Sequence, residues 1–368
     1  MDNDTLLTSF SKWVAPINVE KLIEKVAQTG QDRYTKKFTT KKYIQLLLLS
    51  HLKEVESLHA ISSMVFDEDL QQALNLDSIS VSQLSRKHRA VDPDILSGIF
   101  FQLVDQIKCS QPSRSVMPLK IIDSSTIPLN LRNHPWATFR KTKAGVKLHL
   151  KLVFMKDGTS YPEYAHITPA NQHDRTQLEV LIDDKESMYV FDRGYMDYER
   201  FDRMTDEGYF FLTRLKKNSI TQTIETFSLD DEPDIIADEM VVVGSPAKRM
   251  ENVYRLIEVD DTKGNKLRLI TNRFDLTAKE ISDMYRSRWT IELFFKWLKQ
   301  HVKIKHFYGQ SEIAIENQIF LALIVYCLHV LVQLETQSKQ TILQISRWLK
   351  ARLWKPHRHW IGRIRGVP

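Results

Sequence analysis

Leu119-Lys-Ile-Ile-Asp-Ser-Ser-Thr126 is the stretch that decides the fold class. A short apolar run stops at a carboxylate, Asp123, and hydroxyl residues follow. That is the pattern of a strand buried on both faces and ending at a polar edge. It recurs at Met188-Tyr-Val-Phe-Asp192. The connection between the two is too long for a hairpin, so the strands are predicted to lie parallel, each with its aspartate at the carboxyl end. Ligands bind at that edge in open α/β sheets. Between them Val146–Phe154 alternates as VKLHLKLVF, Asp157-Gly158 reads as a hairpin turn and Tyr161–Ile167 as the return strand. Asp174–Ile182 reads as a helix capped by Asp174, Met196–Thr205 as a helix and Tyr209–Leu215 as a strand. The fold class is α/β, a mixed sheet with flanking helices.

Downstream, residues 216–275 read as a β-rich insertion. Its strands are Met240–Val243, Val253–Val259 and Lys266–Thr271, with a turn at Lys263-Gly264-Asn265 and a solvated acidic loop, LDDEPDIIADE. Met284–Gln300, MYRSRWTIELFFKWLKQ, reads as one helix. Tyr285, Arg288, Glu292, Lys296 and Lys299 share a stripe roughly 80° wide at the helical period, and Ile291, Phe294 and Leu298 fall on the opposite, core face. Taken alone, such a stripe is more often a solvated, salt-bridged surface. A second helix is expected from Ser311 to Leu334. Its most apolar run, Ile319–Val332, contains His329 and falls short of the about 20 residues a bilayer requires, so it reads as a core helix and no membrane span is expected.

Upstream, residues 1–110 read as helical, with helices at Val19–Thr29, Thr40–Glu54, Ser57–Val65, Ser80–Arg89 and Asp94–Lys108. The helix capped by Ser80 carries Gln83 and Arg86, side chains suited to phosphates and base edges. A polar linker, QPSRSVM, follows at residues 111–117. The tail from Lys339 has eight Lys/Arg, no Asp/Glu, and Trp348, Trp354 and Trp360. It suits either a phosphate backbone or packing on its own domain.

A chain of 368 residues with 42% hydrophobic and 27% charged residues has the composition of a soluble protein of two or three domains. Its net charge of +6 permits a nucleic-acid partner. Cys109 and Cys327, taken as core residues, form no CxxC pair; this argues against a disulfide framework and fits a reducing, cytoplasmic compartment. The N-terminus shows no signal-peptide pattern.

Asp123, Asp192 and Glu292 are three carboxylates on three core elements. Adjacent strands lie about 4.8 Å apart, so the aspartates can share an ion. An all-oxygen set suits Mg²⁺ or Mn²⁺, and two such ions can drive an in-line phosphoryl displacement without a covalent nucleophile. His173, in Asn171-Gln-His173-Asp174, is a candidate DNA contact.

These residues resemble the DDE transposases of bacterial cut-and-paste insertion sequences. IIDSST and FDRGY are similar to the family's aspartate motifs, and Tyr285, Arg288, Glu292 and Lys299 match its Tyr-x2-Arg-x3-Glu-x6-Lys signature. The resemblance implies an RNase H-like catalytic domain at 115–215 and 276–335, interrupted by the 216–275 insertion, after a helical DNA-binding domain at 1–110 and before a basic tail at 336–368. It implies that Asp123, Asp192 and Glu292 hold two divalent ions. Tyr285, Arg288 and Lys299, with Lys296, would grip DNA. It further implies double-stranded transposon ends and target DNA as partners, a homodimer at synapsis and a nucleoid-associated cytoplasmic protein. In relatives a flipped base stacks on an aromatic of the insertion; here no tryptophan lies between Trp136 and Trp289, which leaves Tyr254, Phe274 or Trp289 for that role. A DNA-binding regulator without catalysis and a nuclease without strand transfer are the alternative readings.

Overall fold

The computed structural model describes residues 8–111, 117–155, 159–229, 233–260, 264–301 and 306–365. The Asp157-Gly158 turn, Lys263 of the second turn and most of the 111–117 linker lie outside them. The chain forms two compact units: Met1–Pro112, Ile127–Val146 and Phe295–Pro368 make the first, Ser113–Thr126 and Lys147–Phe294 the second.

In the first unit, helices span Ser9–Val14, Val19–Gln28, Thr40–Leu52, Leu58–Met64, Glu68–Leu74, Val81–Ala90 and Pro93–Cys109. Their starts follow from local chemistry. Thr39, Ser57 and Asp67 each accept an amide of the first turn, Ser80 and Gln83 close a capping box, and Pro93 sits at the first turn after Asp92. The helices Ser9–Val14 and Glu68–Leu74, of 6 and 7 residues, are too short to register as periodic patterns. Ser311 caps the helix Glu312–Thr336, which packs against Pro93–Cys109 and Thr40–Leu52. This helix is long and apolar enough to cross a membrane, but its most apolar window is 78% buried inside the unit, as a core helix requires. Cys327 is buried there, whereas Cys109 is exposed at its helix end, contrary to the expectation of a core residue.

The tail folds into helices Ile342–Ala351 and His357–Arg365. Trp360 is fully buried and donates to the Ile345 carbonyl, Trp354 meets Phe10 edge-on, and Arg363 lies over Trp348. All three tryptophans are therefore engaged within the unit.

The strands are β1 (Leu119–Leu129), β2 (Thr138–Arg140), β3 (Lys143–Phe154), β4 (Ser160–Pro169), β5 (Met188–Phe191), β6 (Phe210–Arg214), β7 (Thr221–Thr226), β8 (Ile235–Ser245), β9 (Lys248–Arg249), β10 (Tyr254–Asp260) and β11 (Lys266–Thr271). β2 belongs to the first unit, against the start of β3. In the second unit one mixed sheet runs β1-β5-β6-β11-β10-β8-β7, with β3 beside β1 and β4 paired to β3. β1, β5 and β6 are parallel neighbours, and the β1–β5 pairing is the one that the long connection between them predicts. β11 adds antiparallel to β6, so the insertion's strands extend this sheet. The second half of the acidic stretch is part of β8, not loop, because Asp238 is buried in an ion pair with Arg255 at 2.6 Å. Along β5 the side chains alternate between two cores: Tyr189 and Phe191 join Phe201, Phe211 and Tyr254, while Met188 and Val190 join Leu212, Ile257 and Ile281.

The polar face of VKLHLKLVF is buried as well. Lys151 reaches Asp183 at 2.6 Å and Glu163 at 3.2 Å, and Lys120 reaches Glu163 at 3.0 Å and Asp184 at 3.2 Å. Burial alone would depress the Lys120 ammonium; the surrounding carboxylates outweigh it and raise its pKa.

Candidate active site

Two of the proposed carboxylates meet at the end of the parallel pairing. Ile122 of β1 stands opposite Phe191 of β5, and the next residues are Asp123 and Asp192. β1 itself continues to Leu129, so Asp123 lies within a strand, at the point where its partner β5 ends. Each aspartate is fixed by the amide that follows it. Asp123 Oδ1 accepts the Ser124 N–H at 2.7 Å, and Asp192 Oδ1 accepts the Arg193 N–H at 2.6 Å, capping a 3-10 turn at Arg193–Tyr195.

The predicted single helix at 284–300 is two helices, Ala278–Ser287 and Trp289–His301, parted at Arg288. At the junction the Arg288 and Ile291 amides bond three residues back instead of four, a local tightening of the turn. Thr277 and Glu280 close a capping box at the first start, and Ile291, Phe294 and Leu298 are buried as the periodicity predicts.

Arg288 organises the site. Its Nη2 donates to Glu292 Oε1 at 2.7 Å, and its Nη1 lies 3.5 Å from Asp123 Oδ2. Burial pushes the Asp123 carboxyl up to about 6, with the Asp192 and Glu292 charges adding to the shift; the Ser124 amide and Arg288 oppose it. Burial would lower the Arg288 pKa, but the Glu292 bond outweighs it and the net direction is up. Tyr285 is buried beneath the guanidinium, whose carbon lies 5.8 Å from the ring centroid.

Among the described residues no three His, Cys, Asp or Glu side chains converge closely enough to hold a metal ion. The donor types nonetheless suit a hard divalent cation. All are carboxylates, and a buried Asp123 with a raised pKa is a group that a nearby cation would keep ionised. Arg288 supplies that cation here, between Asp123 and Glu292.

The structure also gives Asp174 a role that the sequence did not suggest. It makes no cap to the short helix that follows. Its Oδ1 instead accepts Ser124 Oγ–H at 2.7 Å and Lys147 Nζ at 3.1 Å, and lies 3.8 Å from His149 Nδ1. Ser124 adjoins Asp123, so Asp174 buttresses the strand residue beside the carboxylate. The only sequence signal was its position after His173.

The remaining candidates lie as follows. Trp289 is 57% and Phe274 42% exposed, both able to meet a planar ligand. Tyr254 is fully buried with its hydroxyl bonded to Asp202 at 2.8 Å, which removes it as a stacking platform. Lys296 is exposed, and Lys299 lies 6.0 Å from the Phe295 ring centroid; both belong to the first unit. Gln83 is exposed but uses its side-chain oxygen in the capping box, and Arg86 is exposed. Their neighbour Lys87 pairs with Asp32 at 2.6 Å. His88 is buried against Tyr43, and burial pushes its pKa down to about 3.

The family model of the transposase DDE domain matches residues 114–328, and that of a domain of unknown function, DUF4372, matches residues 5–68. A Geobacillus stearothermophilus protein named "Probable transposase for insertion sequence element IS5377" is 28% identical over 88% of this chain and 84% of its own. The Sinorhizobium fredii protein y4zB, also named as a transposase, is 31% identical over 57% of this chain and 59% of its own. A piggyBac transposase in a synaptic complex with hairpin DNA gives a TM-score of 0.48 at 9% identity, over 99% of this chain and 83% of that one, a likeness too slight to bear on function. The DDE model spans more than half of the 368 residues and takes in Asp123, Asp192 and Glu292 together. The chain belongs to the DDE-domain transposases of bacterial insertion sequences.

Proposed function

We propose that this transposase cuts DNA at the ends of its element and joins the freed 3′-hydroxyls to target DNA, using Asp123, Asp192 and Glu292 as the catalytic carboxylates. The observation that carries the reading is the pairing of Ile122 with Phe191, which sets the two aspartates side by side, together with the Arg288 link from Asp123 to Glu292. The strand order, β1-β5-β6 parallel with β3 and β4 beyond β1, supports an RNase H-like core at 115–215 and 276–335.

Asp123, Asp192 and Glu292 would hold Mg²⁺ or Mn²⁺, two ions in all. Bound there, the metal would activate the attacking hydroxyl and stabilise the leaving oxygen. The chain's own contribution is positional. The Ser124 and Arg193 amides fix the two aspartates, and Asp174 holds Ser124. Arg288 holds Glu292 and sets one positive charge beside Asp123.

Lys296, Lys299 and Trp289 are proposed contacts to the element's end, and Gln83 and Arg86 those of the helical DNA-binding region at 1–110. The protein would act as a homodimer that synapses two ends, in the bacterial cytoplasm beside the nucleoid. The test is a strand-nicking assay on end DNA with Mg²⁺, comparing wild type with Asp192→Asn and Glu292→Gln. Loss of nicking in both is the expected result, and wild-type activity in either sinks the assignment.

A further inference from the structure

Within the second unit many of the lysines and arginines are paired with an acidic side chain. Lys120, Lys151, Arg200, Arg255, Arg268, Arg273 and Arg286 each pair with a carboxylate. A cleft of about 830 Å³ gathers cations that are not: it is lined by Arg175, Arg193, Lys216, Lys217, His173 and Asn218. The four cations are exposed, and among the described residues none forms an ion pair. The cleft's single carboxylate is Asp192, whose Oδ1 is already bonded to the Arg193 amide.

Local structure explains the convergence. Arg193 opens the 3-10 turn that Asp192 caps. Lys216 and Lys217 follow β6, the parallel neighbour of β5, so they lie just past the same carboxyl edge. Arg175 and His173 come from the turn after β4, held by Asp174 to Ser124. Three separate segments thus deliver cations around one open mouth. Like charges gathered in one cleft repel one another, so an arrangement that leaves them unpaired is stabilised by an external polyanion. The opening is wide and polar, suited to a strand's backbone more than to a compact apolar ligand.

We propose that this cleft is a second DNA track, in which Arg175, Arg193, Lys216 and Lys217 grip consecutive phosphates and lead the backbone past Asp192. Its cations are other residues than those of the Tyr285–Lys299 stripe, and it adjoins the carboxylate site at Asp192. The proposal rests on the reading of the chain as a DNA-cutting transposase.

The experiment uses the full chain and an arbitrary-sequence duplex, with affinity measured by fluorescence anisotropy across a salt series. Each phosphate contact contributes about −0.9 to the slope of log K against log salt. The Lys216→Ala/Lys217→Ala double variant should flatten the slope by about 1.8, and Arg175→Ala by about 0.9. Lys216→Arg/Lys217→Arg keeps the charge and should keep the wild-type slope. All of these side chains are exposed, and unchanged thermal melting confirms the fold. A wild-type slope in the alanine variants overturns the track while leaving the transposase reading intact, since wild type still binds. Salt-insensitive or absent binding by wild type overturns both.

Discussion

Arg288 Nη2 lies 2.7 Å from Glu292 Oε1 while Nη1 of the same guanidinium lies 3.5 Å from Asp123 Oδ2. One side chain thus ties a carboxylate on a sheet to a carboxylate on a helix. Replacing it by alanine leaves a buried, partly ionised cluster without its cation. Glu292 is 36% exposed, so the expected cost is about 1–2 kcal/mol, less than the roughly 3–5 kcal/mol of a fully buried pair. Burial holds the Asp123 carboxyl up to about 6 even with Arg288 beside it, and removing Arg288 raises it further, so the Asp123 part of the loss should be greatest at high pH and fall away as pH drops toward 6. Adding Mn²⁺ should raise the melting temperature of Arg288→Ala more than that of wild type; equal shifts would show that the guanidinium and a cation do not share the site.

Asp174 acts through Ser124 and Lys147. Asp174→Ala should reduce nicking by roughly 10- to 100-fold, the usual loss when an outer support of a metal ligand is removed. Its duplex affinity should fall by less than its nicking rate. The readout is nicking kcat alongside anisotropy; a variant that loses affinity and keeps kcat would make Asp174 a determinant of DNA binding instead.

The buried cluster of Lys120, Lys151 and Glu163 is a stability element. Glu163 is shared between two ammonium groups, at 3.0 and 3.2 Å. Glu163→Gln leaves both lysines short of a counter-charge and should cost about 3–5 kcal/mol in urea melts. A change under 1 kcal/mol would mean that Asp183 and Asp184 suffice.

Acid should destabilise the fold through three histidines. Burial holds His88 down to about 3 and His149 and His329 down to about 4, against an ordinary value of 6.5. Their folded-state values are depressed, so the neutral rings contribute fully above pH 6.5 and lose that contribution as pH falls toward 4, because only the unfolded chain takes the protons. Three protons give a slope of about 4 kcal/mol per pH unit in the middle of that window. Chemical denaturation at pH 7, 6 and 5 measures it, and a flat profile would remove the histidines from the balance.

Features written in local chemistry were legible in the sequence. The cap at Ser80, the core face of Ile291, Phe294 and Leu298, and the parallel pairing of the strands that carry Asp123 and lead into Asp192 all follow from spacing and side-chain type. What escaped depends on partners distant in the chain. Asp174 reads as a cap because Ser124, fifty residues away, is invisible to a local pattern. Lys151 reads as a solvent-facing strand residue until β4 brings Glu163 beside it. The break at Arg288 escaped too: the stripe's period runs through it, and only the pull of carboxylates from two elements marks the place.

The antiparallel seam between β6 and β11 has a mechanical consequence. Hydrogen bonds run without interruption from the aspartate-bearing strands to β7, so the insertion behaves as a cantilever of the catalytic sheet and not as a lobe on a hinge. A load applied to its outer strands when a duplex docks would be borne as a small change of twist, felt at the root where Asp192 sits. Amide exchange along β11 and β10 should accordingly slow together with that of β5 and β6.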